Sequence, residues 1–310
     1  MKSNRTLLEK ADLSLGDMTT DGGLLQPAQA NRFIRLLIKK SVLLPLVNTV
    51  PMNSPKQLLE TIRFNGRVLK PASPGVALPV GDRSKPDLTK PQLDAIEYKG
   101  EVRLNDSVLE DNIERGTLRN TVMQALGDAV SRDVEHVVWN GDTASLDPLL
   151  ASQDGVRKLI TSNLVPHGGG VTNASLWNKM MKSMPSEFLL RNRLWFLTSI
   201  NSEIDWRNSV AARQTRAGDM SLTNDKVENH QGVRILAIPE APENLGGGND
   251  ETEVVMTDPQ NIAVGFQRQI RMETARDISA GELVVVVTLR MAVQLVHEPA
   301  TVKATGVVVA

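Results

Sequence analysis

Three features of the sequence predict a mixed α+β fold. A stretch of about twenty residues ending at Val138 carries a single helical apolar stripe. A Pro-punctuated segment from Val50 to Arg103 is flanked by strand-like runs, and helical and strand-like patterns alternate from Asn173 to Ala300. The 310 residues are 41% hydrophobic and 23% charged, which reads as one large or two ordinary globular units and not as a disordered chain.

Taken in order, residues 1 to about 25 are polar, end in TTDGGLLQP and hold no sustained period, so they read as an extended arm that needs a partner to be ordered. The segment PAQANRFIRLLIKKS sets Ala30, Ile34, Leu37 and Ile38 at helical spacing, with Pro27 early and Lys39 and Lys40 where the helix dipole favours cations. Prolines 51, 55, 71, 74, 79, 86 and 91 then break the chain into short runs. QLLETIRFNGRVL and LDAIEYKGEVRL read as strands around an irregular, solvated tip. A two-stranded excursion has little core of its own and is marginal in water. It therefore lies on something else, most simply a neighbouring copy; the alternative is that it folds back onto its own domain.

The helical stripe consists of Leu118, Val122, Ala125, Leu126, Ala129, Val130, Val134, Val137 and Val138, while Arg119, Gln124, Asp128, Arg132 and Glu135 face elsewhere. Trp139, Asn140, Gly141 and Asp142 form the helix end, with Asn140-Gly141 expected to supply a left-handed residue and Trp139 to pack at the exit. Beyond DPLLASQDGVRKLI, the glycines of PHGGGVT read as a loop. NASLWNKMMKSM then predicts a helix capped by Asn173, RLWFLTSI a strand and NSEIDWRNSVAARQ a second helix. GVRILAIPEAP reads as a strand, ETEVVMTDPQNIAVGF as a strand followed by a turn of helix, and GELVVVVTLRMAVQLVHEPA as a long final strand.

Composition narrows the chemistry. The net charge of -1 creates no overall field toward duplex nucleic acid or an anionic membrane, and aromatics at 3% leave few rings for a ligand pocket or base stacking. No cysteine is present for a disulfide, a zinc thiolate or a catalytic thiol. The N-terminus lacks the apolar core of a signal peptide, and VLLPLV is too short to span a bilayer. His136, His167, His230 and His297 are too far apart for an HExxH-type pair, and GGGVT and LGGGND lack phosphate-loop spacing. His297, beside Glu298 at a strand end, is the one hydrolase candidate, set against the plainer reading of a surface histidine. Arg207, Arg213 and Arg216 form either a phosphate patch, a solvated helix face or partners for acids on a neighbouring subunit. No catalytic residue, cofactor or metal is assigned.

The order of segments then carries a resemblance. LNDSVLEDN (Leu104 to Asn112), the long helix with Asn140-Gly141-Asp142, Asp154-Gly155, TDPQNIAVGF (Thr257 to Phe266) and RDISAGELVVVVTLRMAVQLVHEPA (Arg276 to Ala300) follow one another as in the tailed-bacteriophage major capsid proteins. The chain resembles that family, with its Hong Kong 97-type fold, over nearly all its length. The resemblance implies an α+β architecture with an N-terminal arm (1–30), an extended loop (50–103), a peripheral domain (31–49, 104–173 and 251–310) holding a spine helix (115–139), and an axial domain (174–250). It implies pentamers and hexamers of an icosahedral shell enclosing double-stranded DNA that is contacted non-specifically, assembled in the host cytoplasm into a virion. Scaffold, portal and decoration proteins are the implied further partners; because the chain is already within the arm at Met1, the expectation is either a separate scaffold protein or a chain whose processing left this start. Arg63, Arg67, Arg83, Lys85, Arg207, Arg213 and Arg216 become candidates for inter-subunit contact. Lysines 56, 70, 85, 90 and 99 lie in the loop, but no crosslink is assigned. A cellular nanocompartment shell of the encapsulin type is the alternative on the same fold, and the His297 hydrolase the alternative of another class.

Overall fold

Two sheets, one of five strands and one of six, are joined at the end of a 23-residue helix. The computed structural model describes residues 12–13, 41–64, 68–71, 77–105, 118–212 and 229–309. The predicted helix from Pro27 to Lys40, most of the arm, and residues 106–117 lie outside the described residues. The strands are β1 (Asp12–Leu13), β2 (Asn48–Pro51), β3 (Lys56–Leu58), β4 (Thr61–Arg63), β5 (Asp87–Thr89), β6 (Gln92–Asp94), β7 (Ile96–Asn105), β8 (Leu164–Val171), β9 (Trp195–Thr198), β10 (Asn229–His230), β11 (Val233–Ala237), β12 (Glu251–Thr257), β13 (Ile262–Asp277), β14 (Glu282–Leu295) and β15 (Val302–Val308). The helices are α1 (Leu118–Asn140), α2 (Val156–Leu159), α3 (Ala174–Ser183) and α4 (Ile200–Ala211).

The five-stranded sheet runs β1-β7-β14-β13-β2, and β14 is its centre. β14 pairs antiparallel with β13 from Ile262↔Leu295 to Asp277↔Glu282, and with β7 from Glu282↔Asn105 to Met291↔Ile96. Because side chains alternate along a strand, Val285, Val287, Leu289 and Met291 bury one face. Leu289 and Met291 share a core with Val134, Val137, Val138 and Trp139 at the C-terminal end of α1. The stripe on α1 is unevenly covered. Val134, Val137 and Val138 are buried, whereas Val122, Ala125, Leu126, Ala129 and Val130 are only half-covered.

The six-stranded sheet runs β10-β11-β9-β12-β15-β8, and alternation in β9 and β12 feeds two cores. Leu197 and Val255 join the α1 core, while Phe196, Val254 and Met256 face Leu176, Trp177 and Met180 of α3 and Trp206 of α4. Trp177 anchors that second core, with its ring centroid 4.3 Å from Phe196 and 6.0 Å from Trp206. As expected, α3 starts at a cap: the Asn173 side chain accepts from the amides of Ser175 and Leu176.

Several expectations are corrected. The glycines of PHGGGVT do not break the chain but form β8, an edge strand beside β15 in which Pro166 is tolerated because its missing amide faces no second neighbour. The turn of helix expected after β12 is present at Pro259–Asn261, but the run after it is β13, 16 residues long, and the strand ending at Leu295 is not final because β15 follows. Residues 96–105 of the predicted excursion pair along their length with β14. Neither Asn140 nor Gly141 is left-handed. Gly141 is required for a different reason: a Cβ there would lie 2.3 Å from the carbonyl oxygen of Gln153 and 2.8 Å from the amide of Gly155. Gly155 is equally tight against Gly141, and its amide donates to the Gly141 carbonyl at 2.8 Å.

Candidate functional site

The first candidate region is the C-terminal end of α1. Trp139 is fully buried, and Asn140 lies between three elements: its Nδ2 donates to the Glu240 carbonyl at 2.7 Å, and its Oδ1 accepts from Arg157 at 2.8 Å. Arg157 also meets Glu253 of β12 at 2.7 Å, and Lys303 of β15 donates to the Arg157 carbonyl at 2.9 Å. Asp142 pairs with Lys158 at 3.1 Å; the Ala144 amide, and then Lys158, hold its carboxyl below the usual range. Asp154 accepts from the amide and hydroxyl of Thr143, both at 2.9 Å. Each acid has a donor, so this cluster can hold elements together but presents no base or nucleophile poised for chemistry. It is a joint between α1, α2, β12 and β15.

The second region is the hairpin between β2 and β7. Two short antiparallel rungs, β3 with β6 and β4 with β5, carry it away from the sheet. Its root is packed, since Leu93 is fully buried against Met52 and Ala292. Further out, Ile62 is 70% exposed, Leu69 91%, and Phe64 and Leu88 53% each. Lys56–Asp94 at 3.0 Å and Lys90–Glu60 at 2.9 Å cross the rungs, and the hydrogen bond from Lys90 lowers the Glu60 carboxyl. Such exposed pairs contribute little stability, so beyond its root the hairpin is held by its ladder and by the contacts that Arg63 makes with the body.

Where hairpin meets body, Arg63 is engaged three ways. Its guanidinium pairs with Glu187 at 2.7 Å, lies 4.4 Å from the centroid of the Phe188 ring and donates to Nε2 of His297 at 2.5 Å. Asn261 fixes His297 from the main chain: its Oδ1 accepts from the His297 amide at 2.8 Å and its Nδ2 donates to the His297 carbonyl at 2.9 Å. This is not the arrangement of a hydrolase. The imidazole lone pair is directed at a cation, and Glu298 turns to the amides of Thr161 at 2.9 Å and Ser162 at 2.7 Å. Burial pushes the Glu298 carboxyl up, but the bonds from Ser162 and Thr161 outweigh it and leave the group below its ordinary value.

The basic residues singled out in the sequence do not gather. Arg63 is occupied within its own chain, Arg83 donates to the Leu78 carbonyl at 3.3 Å, and Lys85 is exposed. Arg207 pairs with Glu203 one turn back on α4. Arg67, Arg213 and Arg216 lie outside the described residues. Sequence reading also put Glu135 on the outward face of α1. It is in fact 1% exposed, and its carboxylate accepts from the amides of Val42 at 2.8 Å and Leu43 at 3.2 Å. Those two bonds satisfy the buried charge. Among the described residues, no group of three potential ligands could hold a metal ion, and no helix is long and apolar enough to cross a membrane.

No protein-family model matches the chain. Bacillus subtilis (strain 168) YqbE, which bears the name of a prophage capsid protein, is 33% identical over 293 residues, 93% of this chain and 94% of its own length. Among solved structures, the capsid of a native GTA particle matches with a TM-score of 0.70 at 11% identity, covering 95% of this chain and 99% of that one. Mycobacterium phage Cain matches at 0.60 and 16% identity, with 96% and 98% covered. The SrpI encapsulin complex of Synechococcus elongatus PCC 7942 matches at 0.64 and 9% identity, with 96% and 98% covered. These three likenesses bear on fold alone, and they identify the architecture as the Hong Kong 97-type expected from the order of segments.

Proposed function

The chain belongs to the phage major capsid protein family, and from that premise we propose how its parts divide the work of building a shell. It is a structural protein of the virion whose copies associate with one another into an icosahedral capsid. In the proposed division, residues 1–30 and the hairpin region 50–103 reach over adjacent subunits. Residues 31–49, 104–173 and 251–310 make a peripheral domain around α1, and 174–250 an axial domain about the centre of each pentamer or hexamer. Arg83 and Lys85 near the hairpin tip, together with Arg67, Arg213 and Arg216, remain candidates for contacts between subunits; Arg63 and Arg207 would have to leave their present partners to join them.

The observation that carries this reading is the hairpin itself. It exposes Ile62 and Leu88 on a two-stranded ladder and Phe64 and Leu69 beyond it. Apolar surface of that kind is stabilised by burial against a partner, and a closed symmetric assembly brings a copy to every such site. Double-stranded DNA inside the shell would be touched non-specifically, which suits a chain of net charge -1 that can line a container without gripping its contents. Scaffold, portal and decoration proteins as further partners, assembly in the host cytoplasm and the absence of any catalytic role complete the proposal.

The test is sedimentation with negative-stain electron microscopy of the expressed chain, alone and with a co-expressed scaffold. Closed shells, or sheets of pentamers and hexamers, are expected. A compact monomer or dimer under every condition would count against the whole scheme, and shells packed with enzyme and not with DNA would favour a nanocompartment.

A further inference from the structure

We propose that Arg63, Glu187, Phe188 and His297 form a latch that sets the angle of the hairpin on the body, and that a proton on His297 loosens it. This rests on the reading that the hairpin must reach a neighbouring copy, because the latch matters to assembly only if the hairpin's direction does.

The geometry favours a latch over incidental contact. Arg63 is the last residue of β4, at the outer end of the second rung, so whatever fixes its guanidinium ties that rung to the body. Body groups contact it through a carboxylate, a ring and an imidazole, and its side chain is only 29% exposed. The His297 ring is itself steadied by Phe188, 5.0 Å away, and by the Asn261 clamp on its main chain. Between hairpin and body lies a cavity of about 360 Å³, lined by Ile62 and Thr89 on one side and by Leu190, Arg193 and Asn261 on the other. The joint therefore has room to move when the latch releases.

The chemistry supplies the trigger. An arginine has no acceptor, so at this contact it donates, and His297 Nε2 must offer a lone pair. Protonation removes that lone pair and sets imidazolium against guanidinium. Among the described residues, the charged groups near the ring include Arg63 on β4, Glu187 before Phe188, and Arg193 and Asp258 on the cavity wall; Glu298 is turned away to Thr161 and Ser162. Among the described residues Glu187 is the carboxylate paired with Arg63, and across the shared contact the imidazolium would face the guanidinium.

Hydrogen exchange on the unassembled full-length chain tests this, read at the amides of β3 to β6 and corrected for intrinsic rates. Between about pH 8 and about pH 5.5, wild-type hairpin amides should lose protection about tenfold, the scale of one charge-assisted contact, while those of β12 and β15 do not change. In His297→Gln, protection should be independent of pH, and in Arg63→Ala it should be low at both values, with Arg63→Lys recovering part of it. Equal protection at both pH values in the wild type, or the same pH response in His297→Gln, overturns the latch. Shell formation is scored separately by microscopy. If shells form normally without the hairpin tip, the reading of the hairpin fails while the exchange result still decides the latch.

Discussion

The end of α1 and the hairpin solve opposite problems. At the helix end Asn140, Asp142 and Arg157 all meet partners from the same chain, and two glycines abut so closely that their contact has no slack. In the hairpin, apolar side chains are displayed and the ion pairs that cross it are exposed. One region is closed by partners from its own polypeptide and the other leaves apolar side chains exposed. In the proposed scheme, stability and assembly are therefore carried by different residues.

That separation can be broken from either side. Trp139→Ala should have the largest effect on the folded chain, about 3–5 kcal/mol, because it empties the middle of the core shared by both sheets. Chemical denaturation would measure it. Gly141→Ala should cost about 1–3 kcal/mol by overpacking against Gln153 and Gly155, an effect visible as a lowered Tm. If it were silent, the joint would be looser than its distances indicate.

Glu298→Gln should act through pH. The folded carboxyl lies below its ordinary value, so its stabilisation is present above the unfolded carboxylate pKa and is lost as pH falls through the lower, folded one. Melting curves across the acid range should show a shallower pH dependence in Glu298→Gln than in the wild type. The smallest effect on folding belongs to the hairpin: Ile62→Ser with Leu69→Ser should change monomer stability by less than about 0.5 kcal/mol while strongly reducing shell yield. Loss of fold in that variant would erase the distinction between the two regions.

Local signals made much of this readable beforehand. The apolar period of α1, the Asn173 cap and the β-branched run of β14 depend on residues near one another in sequence, and they appear where expected. The hairpin rungs were readable from strand-like runs around prolines. What escaped was set by distant partners. β8 is a strand because β15 lies beside it, despite Pro166 and its glycines. Glu135 looks like a surface residue until the amides of Val42 and Leu43 arrive from 93 and 92 positions away. Gly141 reads as a helix terminator, and its true constraint, the backbone of Gly155, leaves no trace in local pattern. The contact between Arg63 and His297 joins residues 234 apart, so only the folded chain brings the latch together.

The most direct test of the central claim is to replace residues 61–89 with a short glycine linker, leaving the packed root at Leu93 and the β7 ladder intact, and to compare this chain with the wild type by sedimentation and electron microscopy. The account predicts a cooperatively folded body with nearly unchanged Tm that builds no closed shells. Normal shells from the shortened chain would contradict it.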